Sequence, residues 1–117
     1  MLNLSHKKLE VYKEGKLLCE EIYLLCKLLP ADEKYNLSQQ LKRAAVSICS
    51  NLAESSSRKS LIERKRYYEM SRGSIVEIDT QIELAILLEL ITEYDIVQLT
   101  PHIISTFKML SGMINKE

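Results

Sequence analysis

Apolar residues recur at intervals of three and four along four stretches of the 117-residue chain, and short polar breaks separate these stretches. This spacing places the apolar side chains on one face of an α-helix and leaves the other faces to polar residues. Each stretch spans several helical turns, and the whole chain has only three glycines and two prolines. The sequence therefore predicts an all-α fold.

Helix-starting and helix-ending residues mark the breaks. Ser5 is a suitable N-cap for the first helix, and Pro30 stops it because proline disfavours helical geometry in the preceding residue. Ser60 and Glu63 form the clearest capping box, which opens the third helix. The predicted helices cover residues 6 to 29, 37 to 55, 61 to 91 and 93 to the C-terminus.

Two starts depend on weaker signals. Asn36 with Gln39 resembles a capping box before helix two, and Thr92 with Asp95 resembles one before helix four. Pro101 interrupts the fourth pattern, because it lacks an N–H and clashes with the preceding turn. It either kinks helix four or, with the preceding threonine as N-cap, starts the main body of that helix.

Long helices joined by short loops run antiparallel to their neighbours in sequence. We therefore expect a single domain over residues 1–117, an antiparallel up-down-up-down four-helix bundle with crossing angles of about 20°. The alternative is two long hairpins exchanged between chains, because the same apolar faces can be covered in trans. The segment 84–91 is apolar on nearly every side apart from Glu89, which predicts burial against another subunit and hence a homo-oligomer.

Motifs of catalysis and cofactor binding do not occur in the sequence. It has no Gly-rich phosphate loop and no paired-Cys zinc spacing, and neither His6 nor His102 has a second His or a Cys at a helical step. Both histidines are expected at the surface. We predict no catalytic residue, no metal and no cofactor. An enzyme using Glu54 and Glu77 inside the bundle is the weakest alternative, since bundle metal sites use Glu-x-x-His pairs that this chain lacks.

The cysteines and the N-terminus indicate the compartment. Cys19, Cys26 and Cys49 are an odd number in a chain whose first ten residues are mostly polar. We expect a cytoplasmic protein in which these thiols act as small buried hydrophobes. No segment approaches the ~18 uninterrupted apolar residues of a membrane span, so no membrane contact is expected.

A net charge of zero hides a separation of charge along the chain. Residues 58 to 72 carry six cations against two carboxylates, a net of +4, whereas residues 73 to 107 carry six carboxylates and no Lys or Arg, a net of −6. In the predicted bundle the positive segment lies beside the start of helix one and the end of helix four, so one end is basic and suited to phosphates. The alternative is an ordinary solvated face with charges paired between helices. The candidate nucleic-acid-binding residues are Arg58, Lys59, Arg64, Lys65, Arg66 and Arg72.

Polar and small residues occupy helix faces that a bundle should bury. Buried polar groups need hydrogen-bond partners, so we expect a packed polar network. This network either fixes helix register and oligomeric state or forms a ligand site. Its predicted members are Gln40, Arg43, Asn51, Glu54, Ser74 and Glu77.

Two segments resemble the characteristic segments of a known family. QLKRAAVSICSNLAES (40–55) and SRGSIVEIDTQIELA (71–85) resemble those of the bacterial four-helix bundle proteins encoded in intervening sequences of large-subunit ribosomal RNA genes. The family usually has Gly where this chain has Ser55, so helix two is expected to run further or to strain its cap. The family pattern falls on Gln40, Arg43, Ala44, Ser47, Ile48, Asn51, Ala53, Glu54, Gly73, Ser74 and Glu77.

The resemblance implies an antiparallel four-helix bundle, a ring-like homopentamer and no known enzymatic activity. The chain is also similar to the accessory variability determinant of diversity-generating retroelements, a related pentameric bundle associated with nucleic acid and a reverse transcriptase. That relative is strongly basic, whereas this chain is neutral. We expect a non-catalytic module that binds itself and RNA, another nucleic acid or a nucleic-acid-processing protein. The alternative is a structural or protein-binding scaffold without nucleic-acid contact.

Overall fold

The computed structural model describes residues 1–116, and over those residues it contains helices and no strand. Three short 3-10 helices, Ser5–Lys8, Ala31–Glu33 and Glu93–Ile96, precede the first, second and fourth α-helices. The all-α prediction with four α-helices is confirmed. These are α1 (Glu10–Cys26), α2 (Leu37–Ser56), α3 (Leu61–Leu87) and α4 (Thr100–Asn115).

The four helices pack around a common apolar core. α1 packs on α2 and α4, and α3 packs on the same two helices. Full burial of one Leu or Ile side chain contributes roughly 1.5–3 kcal/mol, so the repeated apolar positions drive this packing. The fully buried apolar side chains include Leu18, Ile22, Leu41, Ile48, Leu52, Ile75, Ile78 and Leu110.

Hydrogen bonds tie α2 to α3 along their length. The paired residue numbers rise along α2 as they fall along α3. The pairs are Gln81 Nε2 to Gln40 Oε1 (3.4 Å), Ser74 Oγ to Ser47 Oγ (3.1 Å) and Ser71 Oγ to the carbonyl of Ile48 (2.9 Å).

α1 is shorter than the predicted first helix at both ends. Ser5 begins a 3-10 helix without capping it, and Leu9 is extended (φ −70°, ψ 135°), so the predicted N-cap at Ser5 is wrong. The extended residue lets the chain fold back and bury His6, whose ring meets Tyr12 edge-on at 4.8 Å between centroids. The prediction that this histidine lies at the surface is therefore also wrong.

The start of α2 differs from the predicted capping box. Asn36 makes no side-chain cap bond. Its Oδ1 accepts from Gln40 Nε2 at 3.3 Å, and its Nδ2 donates to Glu33 Oε1 at 3.0 Å. The capping box with Gln39 is wrong because this amide binds other side chains instead of backbone N–H groups.

The end of α2 extends one residue past the predicted position 55. Ser55 is buried inside the helix and donates to the carbonyl of Leu52 at 2.6 Å. Ser57, which follows the helix, has an ordinary right-handed conformation (φ −88°). Serine at the family's glycine position is therefore accommodated by continued helix, without a strained cap.

α3 starts as predicted and ends earlier. The side chain of Ser60 accepts the N–H of Glu63 at 3.1 Å, which confirms the N-cap. The end comes at Leu87 instead of residue 91, because Glu89 adopts a left-handed conformation (φ 60°).

Thr92 and Asp95 form the predicted capping box, with the Thr92 N–H donating to Asp95 Oδ2 at 2.8 Å. This box opens a 3-10 turn, however, and α4 starts only at Thr100 with Pro101 in its first turn. Of the two alternatives predicted for Pro101, a kink within helix four or the start of its main body, the structure shows the start. Thr100 is the first helical residue and not the N-cap.

Candidate nucleic-acid interface

Basic side chains gather where the α2–α3 loop meets the two chain ends. His6 Nδ1 lies 3.3 Å from Ser56 Oγ, so the N-terminal 3-10 helix lies beside the end of α2. Leu9 and Lys116 line one groove between α1 and α4, which brings the end of α4 to the same side. We term this region the basic end. It comprises Lys7, Lys8, Arg58, Lys59, Arg64, Lys65, Arg66 and Lys116.

Arg58 is held by its neighbours in the protein. Its Nη2 donates to Tyr67 Oη at 2.8 Å and to Glu54 Oε2 at 3.1 Å, and its guanidinium lies 4.9 Å from the centre of the Tyr67 ring. The pair with Glu54 is on the surface and contributes at most ~1 kcal/mol. Because the guanidinium covers one face of the ring, less of the Tyr67 ring is available for base stacking.

Arg64 supports the loop that carries the cluster. Its Nε donates to the carbonyl of Arg58 at 2.8 Å, and its Nη2 donates to the carbonyl of Lys59 at 3.3 Å. These bonds satisfy carbonyl groups in the break between α2 and α3, which the helices leave unpaired. Arg64 thus fixes the shape of the loop.

Three cations of the basic end around the start of α3 are open to partners. Within residues 1–116, Lys59, Lys65 and Arg66 make no side-chain hydrogen bond or ion pair. Lys59 and Arg66 are exposed and Lys65 is half-buried. Cations of this kind keep their full charge available for an anionic ligand.

A shallow pocket lies at the start of α3 and holds about 160 Å³. It is lined by Arg58, Glu63, Arg66 and Tyr67. Arg58 Nε faces no hydrogen-bond acceptor within the described part of the chain although that atom is buried. Two guanidinium groups and a phenol suit an anion such as a phosphate, and the carboxylate of Glu63 opposes one.

Arg72 lies apart from the other five predicted nucleic-acid-binding residues. It lies eleven residues past the first residue of α3, roughly 16 Å along the helix axis. Its Nη1 donates to Ser111 Oγ of α4 at 3.1 Å, and its guanidinium lies 5.7 Å from the Phe107 ring centre. This arginine joins α3 to α4 and does not belong to the basic end.

The predicted polar network is only partly buried in the single chain. Asn51 Nδ2 donates to both the carbonyl (2.9 Å) and the hydroxyl (3.0 Å) of Ser47, which also accepts from Ser74. Gln81, buried on α3, reaches Gln40 across the helix pair. Four of the six predicted members are exposed, so the expectation that they are buried is wrong for one protomer. The exposed members are Gln40, Arg43, Glu54 and Glu77.

The histidines and cysteines do not assemble a metal site within residues 1–116, where no group of three or more His, Cys, Asp or Glu side chains has suitable geometry. His102 is half-buried, and its Nδ1 lies 2.9 Å from Glu14 Oε1, which joins α4 to α1. Burial raises the pKa of the Cys19 and Cys26 thiols. Burial, together with the negative charge of a Cys19 thiolate, raises the pKa of Cys49 to about 11. The three thiols are therefore protonated and weakly nucleophilic at neutral pH.

None of the helices among residues 1–116 combines the length and the apolar character that crossing a bilayer requires.

Comparison with known proteins identifies one family. A family model described as 23S rRNA-intervening sequence protein matches residues 7–112, nearly the whole chain. No curated protein matches the sequence.

Proposed function

Because the chain belongs to the 23S rRNA-intervening sequence protein family, we propose that it is a non-catalytic, homo-oligomeric module that binds RNA or another nucleic acid through the basic end. The observation that carries this proposal is the group of Lys59, Lys65 and Arg66, whose charges have no partner within residues 1–116. Unpaired cations bind phosphates by releasing counterions, so they confer affinity without base specificity.

The proposal includes an up-down-up-down arrangement of the four helices within a single domain. Three observations support it. Cys26 Sγ at the end of α1 lies 3.7 Å from the carbonyl of Ser38 at the start of α2. Arg72 of α3 bonds Ser111 near the end of α4, and Leu9 before α1 lines one groove with Lys116 after α4. This order gathers both chain ends and the α2–α3 loop at one pole, which the basic end requires.

The pocket at the start of α3 is the proposed phosphate-binding site. Arg58 is already fixed by Tyr67, so ordering it on a ligand has little entropic cost. Arg66 lines the same pocket and is exposed, so it is able to approach an anion from solvent. The first turn of α3 adds the positive end of the helix dipole.

Assembly of several copies strengthens such a site. We propose that the assembled form is a homopentamer, as the family resemblance implies. Leu84, Leu87 and Leu88 support burial between copies, since all three are exposed in the single chain and Leu87 is 72% exposed. Five basic ends on one particle raise the local positive potential and give avidity to individually weak contacts. A cytoplasmic setting, supported by the odd number of cysteines, completes the proposal.

A charge-removal experiment tests the nucleic-acid role. The variant K59Q/K65Q/R66Q removes three unpaired cations of the basic end, and K27Q/K34Q/K108Q removes three exposed lysines elsewhere. Binding of a structured RNA is measured by fluorescence anisotropy at ~50 mM salt. We expect the first variant to lose affinity at least tenfold, because it removes up to three contacts to phosphates. Each lost contact is also expected to lower the slope of log affinity against log salt by roughly one. Equal binding by both variants, or no binding by the wild type, would refute this role.

A protein-binding scaffold is the alternative, and a specific observation favours it: Arg58, Arg64 and Arg72 all bind groups of the protein itself. The reversal R64E/K65E/R66E separates the two functions. A pure scaffold loses assembly or solubility in this variant without losing any nucleic-acid interaction. The nucleic-acid module loses RNA binding while the far-UV helical signal and the oligomeric mass persist.

A further inference from the structure

Two grooves lie on opposite sides of the molecule. α1 packs on α2 and α4, and α3 packs on α2 and α4, so the helices follow one another around the core in chain order. The groove between α1 and α2 therefore faces away from the groove between α3 and α4. Each groove presents apolar side chains to solvent.

The α3–α4 groove is apolar with an acidic margin. It encloses about 340 Å³ and includes Val76 and Ile104, which are 52% and 48% exposed. Asp79 lines it, and the exposed Glu83 lies one helical turn further along α3. Between residues 73 and 107 the sequence has no Lys or Arg, and the exposed Lys108 lies one helical turn past Ile104 on the α4 side. Arg72 lies near one end, where it binds Ser111 and Phe107.

The α1–α2 groove is apolar with a basic margin. Tyr23 and Val46 line it and are 42% and 44% exposed. Lys16 lines the same groove, and Lys42 lies beside it with its Nζ 5.1 Å from the Tyr23 ring centre. Glu20 is the one carboxylate in the lining.

We propose that the α3–α4 groove of one copy binds the α1–α2 groove of a second copy. This inference rests on the homo-oligomer included in the proposed function, and it assigns the surfaces through which copies meet. The exposed apolar side chains pack together, and Asp79 and Glu83 of one copy meet Lys16 and Lys42 of the next. Within residues 1–116 none of these four charged groups has an ion-pair partner in its own chain, so each is available to another copy.

Size allows this pairing, and charge favours it over a symmetric one. A stable interface takes roughly 800 Å² from each partner, and a molecule measuring 44 × 30 × 21 Å offers faces large enough to supply it. A groove paired with its own copy would place Asp79 and Glu83 against the same carboxylates, which repel. Contacts between two different faces repeat from copy to copy, so they generate a ring or a chain and not an isolated dimer.

A charge-swap experiment tests the assignment. K16E/K42E leaves both grooves acidic, and D79K/E83K leaves both basic. Each variant alone is expected to associate at least tenfold more weakly than the wild type in sedimentation velocity, because like charges now meet. An equimolar mixture is expected to associate again, since each acidic groove then finds a basic partner. Because the two variants must alternate, the mixture is not expected to close a ring of five copies. Far-UV circular dichroism confirms that both variants are folded.

The control is K8E/K59E, which makes the same charge change at the basic end and away from both grooves. It is expected to assemble like the wild type. If both groove variants also assemble like the wild type, or if the mixture stays dissociated, the groove assignment is refuted while the homo-oligomer stands. A wild type that is monomeric at ~100 μM refutes both the assembly in the proposed function and this inference.

Engineered cysteines give a second readout that does not depend on charge. In a C19S/C26S/C49S background, V46C and I104C place one thiol in each groove. Mild oxidation of the V46C/I104C chain is expected to give a ladder of covalent oligomers on non-reducing gels, because the two thiols face each other only between copies. Either cysteine alone is expected to give no covalent dimer, which is the largest product that one thiol per chain allows. Equal cross-linking by the single variants would contradict the pairing of unlike grooves.

Discussion

The end of α3 offers a sharp test of how this backbone is stabilised. Glu89 has φ 60°, a left-handed conformation, and follows Leu88, the C-cap residue of α3. The N–H of Leu90 donates to the carbonyl of Ala85 at 2.9 Å, and the N–H of Glu89 donates to the carbonyl of Ile86 at 3.0 Å. This is the Schellman pattern, in which the left-handed position is usually glycine. A side chain there costs roughly 1 kcal/mol, because Cβ approaches the carbonyl oxygen.

Replacing Glu89 by glycine removes this strain. It also removes a carboxylate beside the negative end of the helix dipole, a gain of roughly 0.3–1 kcal/mol. The greater freedom of glycine in the unfolded chain subtracts part of the benefit. We expect E89G to raise the free energy of unfolding by about 1 kcal/mol and Tm by about 3–5 °C.

The matched control is E89A, which removes the charge and keeps the Cβ atom. Urea unfolding followed by circular dichroism, at one fixed protomer concentration, measures both variants. E89A is expected to show only the small electrostatic gain. If E89G is no more stable than E89A, the strain assigned to position 89 does not exist.

Three further predictions follow from buried or crowded groups. G15A is expected to destabilise the protein, because an added Cβ would lie 3.3 Å from Cys49 Sγ. G73A, where an added Cβ would meet nothing within 4 Å, is expected to stabilise the protein by about 1 kcal/mol through helix propensity. Urea unfolding of both variants checks this. S71A removes the buried hydroxyl that donates to the Ile48 carbonyl of α2, and it is expected to lower the free energy of unfolding by roughly 0.5–1.5 kcal/mol in the same assay. An unchanged urea midpoint would contradict this hydrogen bond. Alkylation of Cys49 by iodoacetamide, followed by mass spectrometry, should rise steeply only as pH approaches about 11. Since the folded pKa lies above the ordinary value of 9.0, this thiol contributes stability that is present below pH 9 and lost as pH rises through about 11.

Periodicity was sufficient to predict the number and approximate extent of the helices, because burial of the apolar faces dominates their formation. The departures occur where a few residues adopt special backbone conformations. Leu9 is extended because its neighbour His6 is buried by contacts with distant residues, and those contacts have no local signature. Glu89 ends α3 in a left-handed conformation that a residue with a side chain disfavours, and the sequence has no glycine there to indicate the end of the helix.

The charge content of the basic end could be counted from the sequence, but the availability of each cation could not. Arg64 and Arg72 carry the same charge as Arg66, yet one holds the loop carbonyls and the other binds α4. The partners of Arg64 are fixed by the shape of the α2–α3 loop, and the partner of Arg72 is fixed by the packing of α3 on α4. The basic α1–α2 groove was also missed, although the spacing of Tyr12 and Lys16 at one helical turn is a signal that could have indicated it.

The most direct test of the central claim is the salt dependence of nucleic-acid binding by the wild-type protein. A structured RNA and a DNA duplex of equal length are titrated at salt concentrations from ~50 to ~200 mM, and the logarithm of affinity is plotted against that of salt. Binding through the basic end predicts measurable affinity at the lowest concentration and a steep linear decline thereafter. Undetectable binding of both nucleic acids at ~50 mM salt, or an affinity that does not change with salt, would contradict the claim.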